Sequence, residues 1–113
     1  MSYEIFDLNN LKRFSSTASS FMDAGLRYIH LPGLSLPENC TPGSCDALLC
    51  MDQRDGYPTR LFLSSKVQAS APPLNWHMTP TVAGRVWQAF SWKGVPSTDP
   101  VSVLIGHLKA FTP

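Results

Sequence analysis

The sequence predicts an α+β domain: a first helix, an antiparallel β-meander of three to four strands, an irregular flap, then two C-terminal helices. Three observations lead there. Apolar residues recur at helical spacing near both ends of the chain. Short apolar runs bounded by turn residues fill the middle. A proline-rich stretch separates the two patterns, and grouped strands followed by grouped helices point away from βαβ repeats.

The first helix is expected over residues 8–24, LNNLKRFSSTASSFMDA. Leu8, Leu11 and Phe14 fall at i, i+3 and i+6, and Ala18, Phe21 and Met22 extend the stripe. Gly25 stands where a helix would stop. The serine-rich run at 15–20 works against this helix, because serine side chains compete for backbone hydrogen bonds. Residues 26–31, LRYIHL, read as a strand ended by Pro32-Gly33. The loop LSLPENCTPGS follows, then a short apolar run at 45–51, CDALLCM, suited to a buried strand. DQRDGYP turns the chain into a third strand at 59–67, and Asp52, Arg54 and Asp55 read as a solvated turn.

QASAPPLNWHMTP contains three prolines and reads as the irregular flap. In TVAGRVWQAFSW, Val82 or Ala83, Val86, Trp87 and Phe90 show helical spacing, and Thr79-Pro80 supplies a start signal. Gly94 and Pro96 end that helix. The last helix carries the clearest signals: Asp99 as cap, Pro100 at the first helical position, and a stripe of Val101, Leu104, Leu108 and Phe111.

The bulk properties narrow the function classes. The 113 residues suit a single domain spanning 1–113. A net charge of +1 leaves no basic excess for phosphates, which argues against nucleic acid as a partner. MSYEIFDLNN lacks the pattern of a secretory leader, and the longest apolar run, ALLCM, is far below a membrane span. A cytoplasmic protein without membrane contact is the expectation. Three cysteines are an odd number, so a closed disulfide framework is not indicated.

Several short motifs resemble a known family. LSLPENCTPGSCDALLCM runs from a Leu-Pro turn into the strand Asp46-Ala47-Leu48-Leu49 and on to Tyr57-Pro58. GRVWQAFSW adds a Trp-Gln-x-aromatic-Ser segment. Together they are similar to a bacterial branch of the ubiquitin-conjugating-enzyme-like (UBC/RWD) superfamily, over roughly residues 26–111. The resemblance implies a UBC-like fold. It also implies a role beside a ubiquitin-like protein and its activating enzyme, as partners. Conjugating enzymes carry a thioester-forming cysteine in or just after the flap, behind a His-Pro-Asn turn. Here APPLNWHMTP has Asn75 and His77 in another order, and no cysteine follows Cys50. The expectation is therefore a non-catalytic or divergent member. Two alternatives stand beside it: an active thioester enzyme using Cys40, Cys45 or Cys50, and an RWD-like interaction domain unrelated to ubiquitin chemistry.

Cys40, Cys45 and Cys50 follow C-x4-C-x4-C, unlike the close pairs of zinc sites. On a strand, Cys45 and Cys50 point to opposite faces, so no metal is expected, nor any cofactor. Cys50 reads as a small core residue and Cys40 as the most exposed of the three. Cys40, Cys45 and His77 are the weak catalytic candidates. His77 reads either as a polar group presented by the flap or as a ring packed beside Trp76. Trp76 and Trp92, at element ends, are candidate partner anchors with His77, against simple core capping.

Overall fold

The computed structural model describes residues 6–69 and 74–112. Residues 70–73 of the expected flap lie outside the described residues.

The architecture is mostly β. Strands β1 (Ser19–Asp23), β2 (Leu26–Ser35), β3 (Ser44–Cys50) and β4 (Arg60–Leu63) form an antiparallel meander. β5 (Trp76–Met78) and β8 (Gln88–Phe90) complete a six-stranded sheet in the order β1-β2-β3-β4-β8-β5. β6 (Thr81–Val82) and β7 (Arg85–Val86) make a separate two-stranded hairpin. The helix α1 (Pro100–Leu108) follows, and short 3-10 turns lie at Asn9–Leu11 and Lys109–Phe111.

Alternation along the strands divides the core between the two faces of the sheet. Ile29, Leu31, Ala47, Leu49, Leu61 and Leu63 point to one face. There they meet Leu8, Leu11, Val103, Leu104 and Phe111 from the N-terminal segment and the C-terminal helical region. Tyr28, Leu48, Cys50, Phe62 and Ala89 point to the other face, where Val82 and Trp87 cover them. Helix α1 starts as its sequence dictates. The Asp99 carboxylate accepts the Ser102 backbone N–H at 3.0 Å, and Pro100 opens the first turn.

The expected UBC-like arrangement, with an N-terminal helix and two C-terminal helices, is overturned. Among the described residues there is one α-helix, and it lies at the C-terminus. Two hairpins account for the difference. Ala24-Gly25 joins β1 to β2, and Ala83-Gly84 joins β6 to β7. All four residues have positive φ: 50° and 79° in the first pair, 50° and 79° in the second. This is the backbone of a two-residue type I′ turn, whose twist matches that of its flanking strands. Gly25 therefore turns a hairpin where a helix end was expected. The stripe through residues 8–24 collapses to a 3-10 turn at Asn9–Leu11 followed by strand β1. Ser15 is 3% exposed and donates its hydroxyl to the Pro32 carbonyl, a bond a helix would not direct there.

The second expected helix, in TVAGRVWQAFSW, becomes β6, β7 and β8. Its helical spacing is coincidental: Val86, placed on the apolar stripe, is 57% exposed, while Val82 and Trp87 are buried. The flap also gains structure, since Trp76–Met78 pairs with β8 as β5.

Candidate functional site

The exposed end of the sheet at β5 collects two of the three candidate partner residues. Among the described residues β5 is an outer strand of the sheet, bonded to β8 alone. Trp76 and His77 line a cavity of about 270 Å³, together with Lys66, Met78, Thr79 and Gln88. Trp76 is half-buried and meets Phe90 edge to face, with ring centroids 5.4 Å apart. Its inner side is therefore anchored in the core, as expected for an aromatic at an element end. His77 and Met78 are exposed.

His77 is held from beneath by a buried arginine. Arg60, at the start of β4, is 2% exposed. Its Nη2 lies 3.0 Å from His77 Nε2 and donates to the Phe90 carbonyl at 3.1 Å. Because the guanidinium can only donate, His77 Nε2 is the acceptor and that ring nitrogen carries no proton. Arg60 Nη1 donates to Asp55 at 2.8 Å, and the Tyr57 ring stacks on the guanidinium at 4.2 Å. Such pairing is what lets a guanidinium sit in the interior. Asp55 also accepts from Arg54 Nε at 3.3 Å, while Arg54 Nη1 donates to the Tyr28 hydroxyl at 2.9 Å.

The solvated turn expected at Asp52, Arg54 and Asp55 is thus a partly buried polar network. Asp52 accepts from the Arg27 guanidinium at 2.6 Å and from the Arg27 backbone N–H at 2.7 Å. The Arg27 side-chain bond leads in holding the Asp52 carboxyl below the usual range. Sequence reading passed over Arg60, Tyr57 and Asp55 as site components. The available signal was a lone arginine opening the apolar run Leu61-Phe62-Leu63, five residues after an aspartate in a tight turn.

Trp92 does not join the β5 cavity. It is half-buried, and its indole N–H donates to the Gly106 carbonyl of α1 at 3.0 Å. It fastens the segment after β8 to the helix.

The thiols sit in three environments. Cys50 is fully buried in the second core, and its Sγ lies 3.2 Å from the Asp52 carbonyl. Cys45 is half-buried at the edge of the first core. Cys40, expected to be the most exposed, is only 7% exposed. Backbone bonds between Thr41 and Gln68, at 2.8 and 2.9 Å, hold its loop against the domain. Burial pushes all three thiol pKa values up. Hydrogen bonds from Ser64 oppose the rise at Cys45 without reversing it. No group of three or more metal-ligating side chains is assembled among the described residues.

His107 is buried on α1, close to the β4 end that holds Arg60. Thr59 Oγ1 donates to the Val95 carbonyl at 2.8 Å and lies 2.9 Å from His107 Nε2. With its only proton committed, the hydroxyl accepts from His107 Nε2–H. Nδ1 then carries no proton and has no partner among the described residues. Burial, reinforced by the charge of Arg60, lowers the His107 pKa to about 4. The ring is a neutral structural bridge between α1, the segment after β8 and the start of β4.

No helix among the described residues is long and apolar enough to cross a membrane. No protein-family description, curated protein or solved structure matches this chain.

Proposed function

We propose that this domain is a non-catalytic protein-binding module of a bacterial ubiquitin-like conjugation system, receiving a segment of its partner along β5. The partner in this reading is the ubiquitin-like protein or its activating enzyme. One observation carries the binding part. β5 is an outer strand whose exposed His77 and Met78 border a cavity floored by half-buried Trp76. An outer strand offers free backbone groups, and adjacent pockets select side chains of an added strand. The non-catalytic part is supported by the raised thiol pKa values, which oppose thioester formation by Cys40, Cys45 or Cys50. The choice of partner rests on the motifs Asp46-Ala47-Leu48-Leu49, Tyr57-Pro58 and Trp87-Gln88-Ala89-Phe90-Ser91.

The test mixes the domain with a ubiquitin-like protein and activating enzyme encoded in the same operon, plus ATP. Size-exclusion chromatography and a non-reducing gel follow. Co-elution without a thiol-sensitive adduct is the expected result. Lys66→Glu with Thr79→Lys, both at exposed rim positions, should weaken that co-elution. An adduct lost in Cys40→Ser, Cys45→Ser or Cys50→Ser overturns the non-catalytic assignment. Failure to associate with either protein overturns the partner and leaves an interaction domain outside ubiquitin chemistry.

A further inference from the structure

β5 does not run in step with β8. Trp76 stands opposite Phe90 and Met78 opposite Ala89, so two steps on β5 match one on β8. His77 is the extra residue of this bulge. A bulge interrupts the ladder of backbone bonds that an added strand can make. Side chains at this edge must therefore carry most of the selection.

Those side chains favour a negative group. Lys66, His77, Thr79 and Gln88 line the cavity beside Trp76 and Met78, and no carboxylate is among them. The Lys66 ammonium is exposed and makes no ion pair among the described residues. His77 Nε2 is taken up by the Arg60 guanidinium at 3.0 Å, so the donor left to this exposed ring is Nδ1–H. Donation from a cation polarises the ring and strengthens that N–H toward an anion. The wider surroundings have the same sign. Arg54 and Arg60 share the carboxylate of Asp55, at 3.3 and 2.8 Å. Lys93, also without an ion pair among the described residues, stands 5.8 Å from the centroid of the Tyr57 ring. That ring in turn lies 6.3 Å from the His77 ring, centroid to centroid.

We propose that the β5 cavity receives an acidic side chain, Asp or Glu, from an extended segment of a partner protein. The carboxylate accepts from His77 Nδ1–H and pairs with Lys66. An apolar side chain two positions along the same segment packs on Trp76. One unpaired lysine in the lining matches the single charge of a carboxylate better than the nearly double charge of a phosphate. The proposal rests on the reading of β5 as a docking edge and not on which partner supplies the segment.

The probes are capped pentapeptides, acetyl-Thr-X-Thr-Leu-Thr-amide, with X as Glu, Gln or Lys. X and Leu fall on one side of the extended chain. The readout is the Trp76 indole N–H in ¹H–¹⁵N spectra, assigned with Trp76→Phe. Trp92, already bonded to the Gly106 carbonyl, is the internal control. The Glu peptide should move the Trp76 resonance saturably and leave that of Trp92 in place. It should bind about fivefold more tightly than the Gln peptide, the gain of a partly exposed ion pair. The Lys peptide should bind most weakly. Lys66→Gln alters an exposed side chain outside any ion pair and should remove most of the difference between Glu and Gln. Added salt should narrow the same difference. Equal affinities for the Glu and Gln peptides overturn the acidic preference and leave β5 as a docking edge. No saturable Trp76 shift with any peptide overturns the docking edge as well. Tighter binding with phosphoserine at X overturns the carboxylate. So does a Gln peptide that matches the Glu peptide once its C-terminus is a free carboxylate, because an acidic side chain is then not what the cavity selects.

Discussion

Acid should loosen this fold through His107 in a window that can be calculated. The histidine is 1% exposed and its pKa is lowered to about 4, against about 6.5 for an unfolded chain. The unfolded state therefore binds the extra proton first. Stability is complete above the unfolded value, falls as the pH drops below about 6.5, and levels off below about 4. Linkage gives a loss of about 2 kcal/mol by pH 5 and about 3 kcal/mol by pH 4. Against a total of roughly 5–15 kcal/mol for a domain of ordinary stability, this is a large share. The cost has a structural source. A second proton places a donor on Nδ1, which has no partner among the described residues, and a charge near Arg60. Urea unfolding of the wild type and His107→Gln, followed by circular dichroism at pH 7.5, 6, 5 and 4, checks the calculation. Glutamine places an amide N–H near the Nε2 position, so the bond to Thr59 has a substitute, but it does not titrate. The wild type should lose about 2 kcal/mol more than the variant between pH 7.5 and pH 5. His30 and His77 are present in both proteins and cancel in the difference. So do Asp46 and Asp52, whose lowered carboxyl pKa values move their loss to more acid pH. Equal slopes for the two proteins would refute the argument that burial of neutral His107 sets the acid limit.

Three further outcomes are expected. Asp55→Asn keeps a residue tolerant of the φ of 56° at that turn but removes the charge facing Arg60, and it should cost about 2 kcal/mol in denaturant unfolding. Adding Arg60→Met in the Asp55→Asn background should recover part of that loss, and a further drop would argue against an uncompensated guanidinium as the cause. Ala24→Asn should stabilise by about 0.5–1 kcal/mol, because asparagine tolerates the left-handed region better than alanine at a type I′ turn; thermal melts that move downward would count against the β1–β2 hairpin. Under native conditions a disulfide reagent at neutral pH should label Cys45 slowly and ahead of Cys40 and Cys50, and rapid labelling of Cys40 would contradict its burial.

The legible parts of the fold are those whose signals are local. Asp99-Pro100 announces helix α1, because cap and first-turn chemistry are written in adjacent residues. β2, β3 and β4 were readable as apolar runs between turns, but β2 continues through Pro32-Gly33, where the sequence reading ended it, to Ser35, and β4 stops at Leu63 rather than reaching Val67. The hairpins were not, because Ala24-Gly25 and Ala83-Gly84 lack the asparagine or aspartate that usually marks a type I′ turn. Without that mark, Val82, Val86 and Phe90 mimic a helical stripe. At the site, Trp76 and His77 stood out as polar and aromatic groups in a proline-rich stretch. Arg60 did not, because its partners come from the turn before β4, from β5 and from β8. Trp92 was legible as an aromatic at an element end, but its hydrogen bond to Gly106 is a tertiary fact.

The unequal cladding of the two sheet faces has a consequence for how the molecule breathes. One face is sealed by a nine-residue helix and the N-terminal segment, the other by a hairpin with two residues in each strand. Opening the hairpin breaks few bonds, among them that from the Trp87 amide to the Pro80 carbonyl at 2.8 Å. Opening the helical side exposes Leu104, Phe111 and the leucines beneath them. Amide exchange should therefore proceed in two tiers, with Arg85 and Trp87 reporting a shallow, sub-global opening and Ile29 and Leu49 reporting global unfolding. The shallow tier bares Trp87, Leu48 and Phe62 while the helical side stays closed, so the thin face opens first.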